Sequence, residues 1–320
     1  MTNKICIVAG EPISINSEII ARSWKKLNKF NRNNIFVIGC HSLLVSQFRR
    51  LKIKVPLNKI ESLDTKFSQK KINILNIPLK FKGPFSINKN DSSNYVLKCL
   101  DKAHQLSISG KIKGFINCSV DKKNIFKSKN IGVTEYLAKK NNSAGKETML
   151  IYNNKLSVCP LTTHINVKQI TRSINQNLII KKVLTLNNFY RKNLNKKPLI
   201  AILGLNPHNG ELRKKSEEIK IIIPSIKRLR KRKINVIGPL PSDTVFSNQK
   251  NKNYDVIVGM YHDQVLGPFK ALFGLNAINI TLGLNYYRVS PDHGTAKDLV
   301  GLKKGDPTSL LSSINFITKI

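Results

Sequence analysis

The stretch that decides the fold is residues 259–298, which read GMYHDQVLGPFKALFGLNAINITLGLNYYRVSPDHGTAKD. The apolar run 256–258 precedes it and stops at Gly259, as a buried strand does where the chain leaves a sheet. Residues 261–264, Tyr-His-Asp-Gln, therefore follow the carboxyl end of a predicted strand. Because ligands bind at that edge of an open parallel sheet, we expect these polar side chains to form part of a site.

Two further apolar runs follow within the same stretch. Residues 277–282 end at Gly283, and the next run carries Arg288. Before them, a glycine and a proline that precede Lys270 predict a turn. A histidine, a carboxylate and two cationic side chains are thus expected at neighbouring strand ends.

Strand-like and helix-like segments alternate along the rest of the chain. Apolar runs of buried-strand type occupy residues 5–9, 35–38, 72–77, 114–118, 149–152, 156–159 and 199–203. Apolar residues at helical spacing predict, among others, helices over 166–193, 216–233 and 308–319. This alternation predicts an α/β fold with mainly parallel sheets.

The character of the sequence changes near residue 130, where a polar segment separates two series of predicted strands. We place a domain boundary there. The first α/β domain is expected to comprise residues 1–130 together with 291–320, and the second residues 131–290.

The composition bounds the class of protein. A chain of 320 residues is long enough for two domains, and 41% hydrophobic residues is ordinary for a globular enzyme. The formal net charge of +37 would suit nucleic acid or an anionic membrane as a partner. Lys and Arg are spread along the chain beside abundant Asn and Ile, however, which indicates a compositional bias. We therefore expect no nucleic-acid partner and no membrane partner.

Cysteine usage and the N-terminus bear on the compartment. None of the cysteines forms a CxxC pair, so buried free thiols are expected at Cys6, Cys40, Cys99, Cys118 and Cys159. The N-terminal apolar run is too short for a signal peptide, and no window reaches the roughly 18 apolar residues that span a membrane. A cytoplasmic location is the expectation.

Several segments, which follow one another in the family's order, resemble the 4-hydroxythreonine-4-phosphate dehydrogenase family of pyridoxal phosphate biosynthesis. In the C-terminal half they are MYHDQ from Met260, Lys270, NITLGL from Asn279, Arg288 and DHGTA from Asp292. Upstream, GLNPH with a following GE occupies residues 204–211, and TTH occupies 162–164. The resemblance runs from the GEP segment at 10–12 to the C-terminal helix and covers nearly the whole chain.

The resemblance implies two α/β/α domains like those of isocitrate and isopropylmalate dehydrogenases, with the active site in the cleft between them. It implies a homodimeric enzyme that uses NAD or NADP and a divalent cation in each subunit, Zn, Mg or Co. The implied substrate is a small phosphorylated hydroxy-amino acid, 4-phosphooxy-L-threonine. Its C3 hydroxyl is oxidised, and the 3-oxo acid then loses carbon dioxide to give 3-amino-2-oxopropyl phosphate.

Three histidines are the metal ligands that the resemblance implies. His164, His208 and His262 each follow a strand-like run and lie too far apart in sequence for a local finger motif, so only folding can bring them together. Three neutral imidazoles with one open position suit a zinc-like Lewis acid. Without the resemblance, three unrelated histidines at strand ends is the simpler interpretation.

Carboxylates and cations complete the expected site, most of it in the second domain. We expect Asp243 and Asp263 near the reacting hydroxyl, where they orient the imidazoles or accept a proton. A helix cap or an Asx turn is the alternative for Asp243. Lysine and arginine suit a phosphate and a carboxylate, with a solvated surface as the alternative. The resemblance implies substrate contacts from Thr134, Lys270, Asn279 and Arg288.

The sequence also departs from the family pattern. The family segment G-H-T-E is Gly132-Val133-Thr134-Glu135 here, so an apolar side chain replaces a histidine that contacts substrate. No glycine-rich dinucleotide fingerprint follows the first strand, so the cofactor rests on the resemblance and its binding residues are not assigned. The alternatives are a paralogous dehydrogenase for another phosphorylated hydroxy acid or, in other classes, a phosphate acyltransferase or a non-catalytic binding protein.

Overall fold

The computed structural model describes residues 2–126, 132–247, 253–274 and 276–320. The chain divides into two units, Met1–Val133 with Asn285–Ile320, and Thr134–Leu284. The predicted boundary at residue 130 lies outside the described residues. Arg288 belongs to the first unit, although the predicted second domain extended to residue 290.

The strands of the described residues are β1 (Ile5–Val8), β2 (Ile35–Gly39), β3 (Leu57–Ile60), β4 (Ile72–Asn76), β5 (Gly114–Asn117), β6 (Thr148–Tyr152), β7 (Ser157–Pro160), β8 (Ile200–Leu203), β9 (Val236–Leu240), β10 (Val256–Gly259), β11 (Ile278–Leu282) and β12 (Tyr287–Pro291). The α-helices are α1 (Asn16–Lys26), α2 (Lys29–Asn34), α3 (His41–Arg50), α4 (Lys89–Ile108), α5 (Lys122–Phe126), α6 (Val133–Lys140), α7 (Ile170–Ser173), α8 (Gln176–Asn193), α9 (Ile223–Lys231), α10 (His262–Phe273) and α11 (Thr308–Lys319). Short 3-10 segments cover Val167–Gln169, Pro207–Leu212 and Lys297–Leu299, and a π-helical turn covers Glu218–Ile222.

In the first unit the strands lie in the order β3-β4-β2-β1-β5-β12, and each pairs parallel to its neighbours. The strands β1, β2 and β5 are buried along their whole length. Parallel strands of this kind need helices to cover them. Accordingly, α4 packs on β1, β2 and β5, and α11 packs on β12 and β5.

In the second unit the order is β11-β6-β7-β10-β8-β9. The strands β7, β10, β8 and β9 are parallel neighbours, whereas β6 runs antiparallel to β7 and to β11. The carboxyl ends of β7, β10 and β8 therefore lie side by side at one edge of the sheet. The prediction of an α/β fold with mainly parallel sheets is confirmed.

Helix α10 places His262 at its first residue and packs on β7 and β10. Val265 and Phe269 on this helix are fully buried, and each burial contributes roughly 1.5 to 3 kcal/mol. The turn predicted from Gly267 and Pro268 is wrong, because the helix continues through both residues. Burial of the apolar face offsets the roughly 3 kcal/mol that a proline inside a helix costs.

The single helix predicted over residues 166–193 is also wrong in its first part, where α7 is separate from α8. Asn175 between them has an extended backbone, with φ −148° and ψ 166°. Its side chain accepts a hydrogen bond from the backbone N–H of Leu178 at 2.9 Å. An asparagine that caps in this way begins a new helix and cannot continue the preceding one.

The cysteine prediction is confirmed, since all five cysteines are buried and free. Burial raises the pKa of the Cys118 thiol to about 12, and it does the same for Cys159, so both groups stay protonated at neutral pH. Among the described residues, no helix is long and apolar enough to cross a membrane.

An ion pair near the end of β5 yields a test of the first unit. Lys297 Nζ lies 2.6 Å from Asp121 Oδ2, and Asp121 Oδ1 accepts a hydrogen bond from the backbone N–H of Asn124 at 3.2 Å. The hydrogen bond from the Lys297 ammonium holds the pKa of Asp121 below its usual value. A carboxylate with a lowered folded-state pKa stabilises the fold above its unfolded pKa, and the contribution disappears as the pH falls through the folded pKa.

We expect Asp121→Asn to lower the free energy of unfolding by about 0.2 to 1 kcal/mol at neutral pH, because the pair is partly exposed. The asparagine keeps an acceptor for Asn124, so the change isolates the charge. Denaturant unfolding of both proteins between pH 7 and pH 3 measures the difference, which should vanish at the acid end. A difference that stays constant over this range would contradict the assignment.

Candidate active site

Three histidines follow three neighbouring strands of the second unit. His164 follows β7, His262 follows β10 and His208 follows β8. The hydroxyl of Thr162 donates to the carbonyl oxygen of Met260 at 2.8 Å, so the segments that lead to His164 and His262 stay joined beyond the sheet. The topology thus brings all three histidines to one edge.

His164 and His262 lie close together. Their ring centroids are 6.1 Å apart and the ring planes are tilted by 39°. Two imidazoles that share one tetrahedral zinc ion have ring centroids about 5 Å apart. The observed separation exceeds this distance by about 1 Å.

Each of these two imidazoles has a carboxylate beside Nδ1. Asp263 Oδ1 lies 2.8 Å from His262 Nδ1, and Glu135 Oε1 lies 3.6 Å from His164 Nδ1, which is ion-pair range and too long for a hydrogen bond. A carboxylate at Nδ1 favours the tautomer whose Nε2 lone pair is available to a metal. The pair therefore fits a divalent cation. Sequence reasoning assigned Glu135 no role, although it directly follows Thr134 in the family segment.

His208 has a different environment. It lies in a turn where φ is positive at five consecutive residues, 49° at His208, 58° at Asn209, 59° at Gly210, 50° at Glu211 and 54° at Leu212. Residues other than glycine pay roughly 1 to 2 kcal/mol each for this conformation. Among the described residues, no group of three or more His, Cys, Asp or Glu side chains has metal-binding geometry. The structure therefore pairs His164 with His262 and leaves His208 at the adjacent strand end.

Two further predicted residues lie apart from the three histidines. Asp243 follows β9, the strand beside β8, and its side chain is exposed. Lys270 is exposed in the last turn of α10. Because a helix rises about 1.5 Å per residue, Lys270 is about 12 Å along the axis from His262. The expectation that Lys270 lies at a strand end beside the histidine is wrong, since α10 carries it away.

The expected substrate contacts Thr134 and Asn279 lie near β11. Thr134 begins the second unit, and its hydroxyl is 3.3 Å from that of Thr281 on β11. Asn279 lies on the same strand, and its Oδ1 is buried without a hydrogen-bond partner in the described part of the chain. Buried polar atoms are usually paired, so this oxygen is suited to a ligand donor. Val133, which replaces the family histidine, is 4% exposed.

Arg288 lies in β12 of the first unit and is 3% exposed. Its Nε donates to Asn117 Oδ1 at 2.6 Å, and Asn117 ends the neighbouring strand β5. A buried guanidinium held in this way has a fixed orientation, as recognition of an anion requires.

Comparison with known proteins finds one family profile and several similar dehydrogenases. A family profile described as "Pyridoxal phosphate biosynthetic protein PdxA" matches residues 31–317. The chain is 35% identical over 321 residues to 4-hydroxythreonine-4-phosphate dehydrogenase from Sulfurihydrogenibium sp. (strain YO3AOP1), covering 97% of this chain and 96% of that one. It is 30% identical over 334 residues to D-threonate 4-phosphate dehydrogenase from Pectobacterium atrosepticum, covering 100% of both.

Solved structures agree. A 4-hydroxythreonine-4-phosphate dehydrogenase from Klebsiella pneumoniae superposes with a TM-score of 0.83 at 30% identity, covering 100% of this chain and 99% of that one. A likeness to isocitrate dehydrogenase from Methylococcus capsulatus, with a TM-score of 0.50 at 10% identity over 99% of this chain and 85% of that one, concerns the fold alone. The family profile and the similar proteins each match nearly the whole chain. The chain therefore belongs to the family of pyridoxal phosphate biosynthetic protein PdxA.

Proposed function

We propose that this chain is a metal-dependent dehydrogenase that oxidises 4-phosphooxy-L-threonine with NAD or NADP in pyridoxal phosphate biosynthesis. The observation that carries the proposal is the pair His164 and His262, each with a carboxylate at Nδ1, in a chain of this family. The relatives named 4-hydroxythreonine-4-phosphate dehydrogenase support the substrate.

The Nε2 atoms of His164 and His262 would hold a divalent cation, and His208 would join them from the neighbouring strand end. When bound, such a cation polarises the C3 hydroxyl and stabilises negative charge on its oxygen. The side chains around it fix the imidazole orientations. Asp263 already contacts His262, so its role in the proposal is to orient that ring and not to accept the proton.

Other side chains would complete the reaction. The oxidation takes a hydride from C3 and a proton from its hydroxyl, and the 3-oxo acid then loses carbon dioxide. Asp243, exposed beyond β9, is the proposed acceptor of the proton. The buried amide oxygen of Asn279 would accept a hydrogen bond from the substrate. Lys270 and Arg288 would bind the anionic ends of the substrate.

The first unit has features that fit a nicotinamide cofactor. Gly10, after β1, has φ 74°, and a Cβ there would lie 2.5 Å from the carbonyl oxygen of Ser119. Glu11 is 4% exposed; its Oε1 accepts from the Ser92 hydroxyl at 2.8 Å, and its Oε2 has no partner among the described residues. A buried carboxylate oxygen suits a ribose hydroxyl, which acidic side chains bind in dinucleotide sites. A nicotinamide held there would supply the hydride acceptor for the oxidation.

The proposal includes a homodimer in the cytoplasm. The family resemblance supports the homodimer, and buried free thiols suit a reducing compartment.

A second candidate is oxidation of a phosphorylated hydroxy acid without the amino group, such as D-threonate 4-phosphate. The D-threonate 4-phosphate dehydrogenase among the relatives favours it, as does Val133. A buried valine offers no hydrogen bond where the family pattern has histidine. D-threonate 4-phosphate carries a hydroxyl at C2 where 4-phosphooxy-L-threonine carries an amino group, so the two substrates present different polar groups to the site.

Metal analysis and nicotinamide reduction test the main proposal together. Purified protein should contain about one divalent cation per chain. Chelation should abolish reduction of NAD or NADP with 4-phosphooxy-L-threonine, and zinc, cobalt or magnesium should restore it. Changing His164, His208 or His262 to Ala should suppress metal loading and turnover severely, because each change removes a ligand. Asp263→Asn should cost a milder ~10- to 100-fold in metal affinity or turnover.

His104→Ala is the control for this experiment. His104 lies on α4 in the first unit, with Nδ1 2.9 Å from the Tyr286 hydroxyl, and has no ligand role. Its replacement should leave the metal content unchanged. Absence of metal from the native protein, or an equal loss of metal in His104→Ala and His262→Ala, would overturn the proposed site.

The exchange Val133→His separates the two candidate substrates. If 4-phosphooxy-L-threonine is the substrate, restoring a polar side chain should raise kcat/KM with it or leave kcat/KM within about twofold. Val133→Leu is the matched control, because it enlarges the same buried position without adding polarity. A large loss with 4-phosphooxy-L-threonine in the histidine variant alone, alongside turnover of D-threonate 4-phosphate by the native protein, would favour the second candidate.

A further inference from the structure

Gln264 spans two segments that each lead to a candidate metal ligand. It is 8% exposed and lies two residues after His262, in the first turn of α10. Its Oε1 accepts a hydrogen bond from the backbone N–H of Met260 at 2.7 Å. Its Nε2 donates to the carbonyl oxygen of Gly204 at 2.7 Å, at the start of the segment that carries His208. One side chain thus joins the end of β10 to the end of β8.

Glu218 holds the same segment from the other side. It is fully buried, and its Oε1 accepts from the backbone N–H groups of Leu205 at 2.8 Å and Asn206 at 2.9 Å. Its Oε2 accepts from Asn206 Nδ2 at 3.0 Å. The backbone between Gly204 and Asn206 is therefore bound on one side by an amide and on the other by a carboxylate.

The close fit leaves no room for a side chain at Gly204. A Cβ at this position would lie 2.3 Å from Asn209 Oδ1 and 3.2 Å from Glu218 Oε1. Asn209 Nδ2 in turn donates to the carbonyl oxygen of Pro239 at 3.1 Å. The segment before His208 is thus packed as tightly as it is hydrogen-bonded, and the strained left-handed turn begins directly after it.

We propose that Gln264 and Glu218 are positioning residues that hold the His208 segment against the start of α10 and so set the separation of His208 from His262. The inference deepens the proposed function, on which its metal readout rests. Both side chains are buried and bind the backbone of the segments that lead to His208 and His262. They fix the position of His208 relative to His262 before a metal binds. Metal binding then does not have to order the segment that carries His208.

The chemistry of each side chain suits this role. Gln264 must accept at one atom and donate at the other, which an amide does and an ionised carboxylate does not. Gln264→Glu keeps the shape but sets a carboxylate oxygen against the Gly204 carbonyl. Glu218→Gln keeps the shape and one oxygen for the two backbone N–H groups. It removes the charge that strengthens those bonds, and it sets an N–H₂ group against Asn206 Nδ2.

Matched controls exist in the first unit. Gln47 is 2% exposed, and its Nε2 donates to the carbonyl oxygens of Pro12 and Pro84 at 2.8 Å each. Glu18 is 2% exposed, accepts from the backbone N–H of Gly305 at 3.0 Å and pairs with Arg22 at 2.8 Å. Gln47→Glu and Glu18→Gln therefore make the same chemical changes in buried side chains of the first unit, which carries none of the three candidate metal ligands.

The experiment compares the four variants with the native full chain in two measurements. Titration of metal-free protein with Zn²⁺ or Co²⁺ against a competing chelator gives the metal Kd, and Co²⁺ absorption reports the ligand geometry. Hydrogen exchange of the Met260, Leu205 and Asn206 amides reports, in the absence of metal, how firmly Gln264 and Glu218 hold the backbone. Gln264→Glu and Glu218→Gln should raise the metal Kd by ~10- to 100-fold and alter the Co²⁺ spectrum. Exchange at the Leu205 and Asn206 amides should accelerate by about tenfold in both variants, because each change weakens the hold on the segment. Met260 keeps an acceptor oxygen in Gln264→Glu, so its exchange should change less.

The control variants should lower the thermal unfolding midpoint while leaving the metal Kd within about twofold and the three amides unchanged. The positioning role is overturned if exchange at the three amides is native-like in both Gln264→Glu and Glu218→Gln. It is also overturned if the control variants raise the metal Kd as much as these two variants do. If the native protein binds neither Zn²⁺ nor Co²⁺, the proposed metal site fails. Hydrogen exchange then decides by itself whether the two side chains hold the segment.

Discussion

The parallel pairing of β10 with β7 on one side and β8 on the other is the constraint on which the candidate site depends. Val256 pairs with Ser157 and with Ile200, so the three strands run in register. Because strands in register end together, the segments that carry the three histidines leave the sheet at one level. A slip of one residue would turn every side chain of a strand to the opposite face. The buried apolar sequence of β10 opposes such a slip.

This constraint explains why the strands could be predicted from sequence alone. Buried parallel strands are continuous runs of Ile, Val and Leu that end at glycine or a polar residue, and those runs are visible without a structure. The strand β3 lacks that signal, because its sequence Leu-Asn-Lys-Ile is only partly buried. The short helix α2, Lys-Phe-Asn-Arg-Asn-Asn, has no apolar stripe either. Both elements depend on tertiary contacts that local sequence does not encode.

The site shows the same division between local and long-range signals. Motif resemblance was sufficient to select His164, His208 and His262, and the strand order then placed them at one edge. It gave no sign that Glu135 lies beside His164, or that Gln264 and Glu218 bind the backbone of residues 204–206. These contacts join residues that lie apart in the sequence, so no periodicity reveals them. The path of α10 through Pro268 escaped prediction because the energy that overrides the proline comes from the core.

The five buried thiols give each unit of the protein at least one internal reporter. Cys6, Cys40, Cys99 and Cys118 belong to the first unit and Cys159 to the second. A reagent that modifies only accessible thiolates reaches each sulfur when the surrounding strands and helices open. Identifying which cysteine reacts first therefore distinguishes opening of one unit from opening of the other. The native chain supports this comparison without any added label.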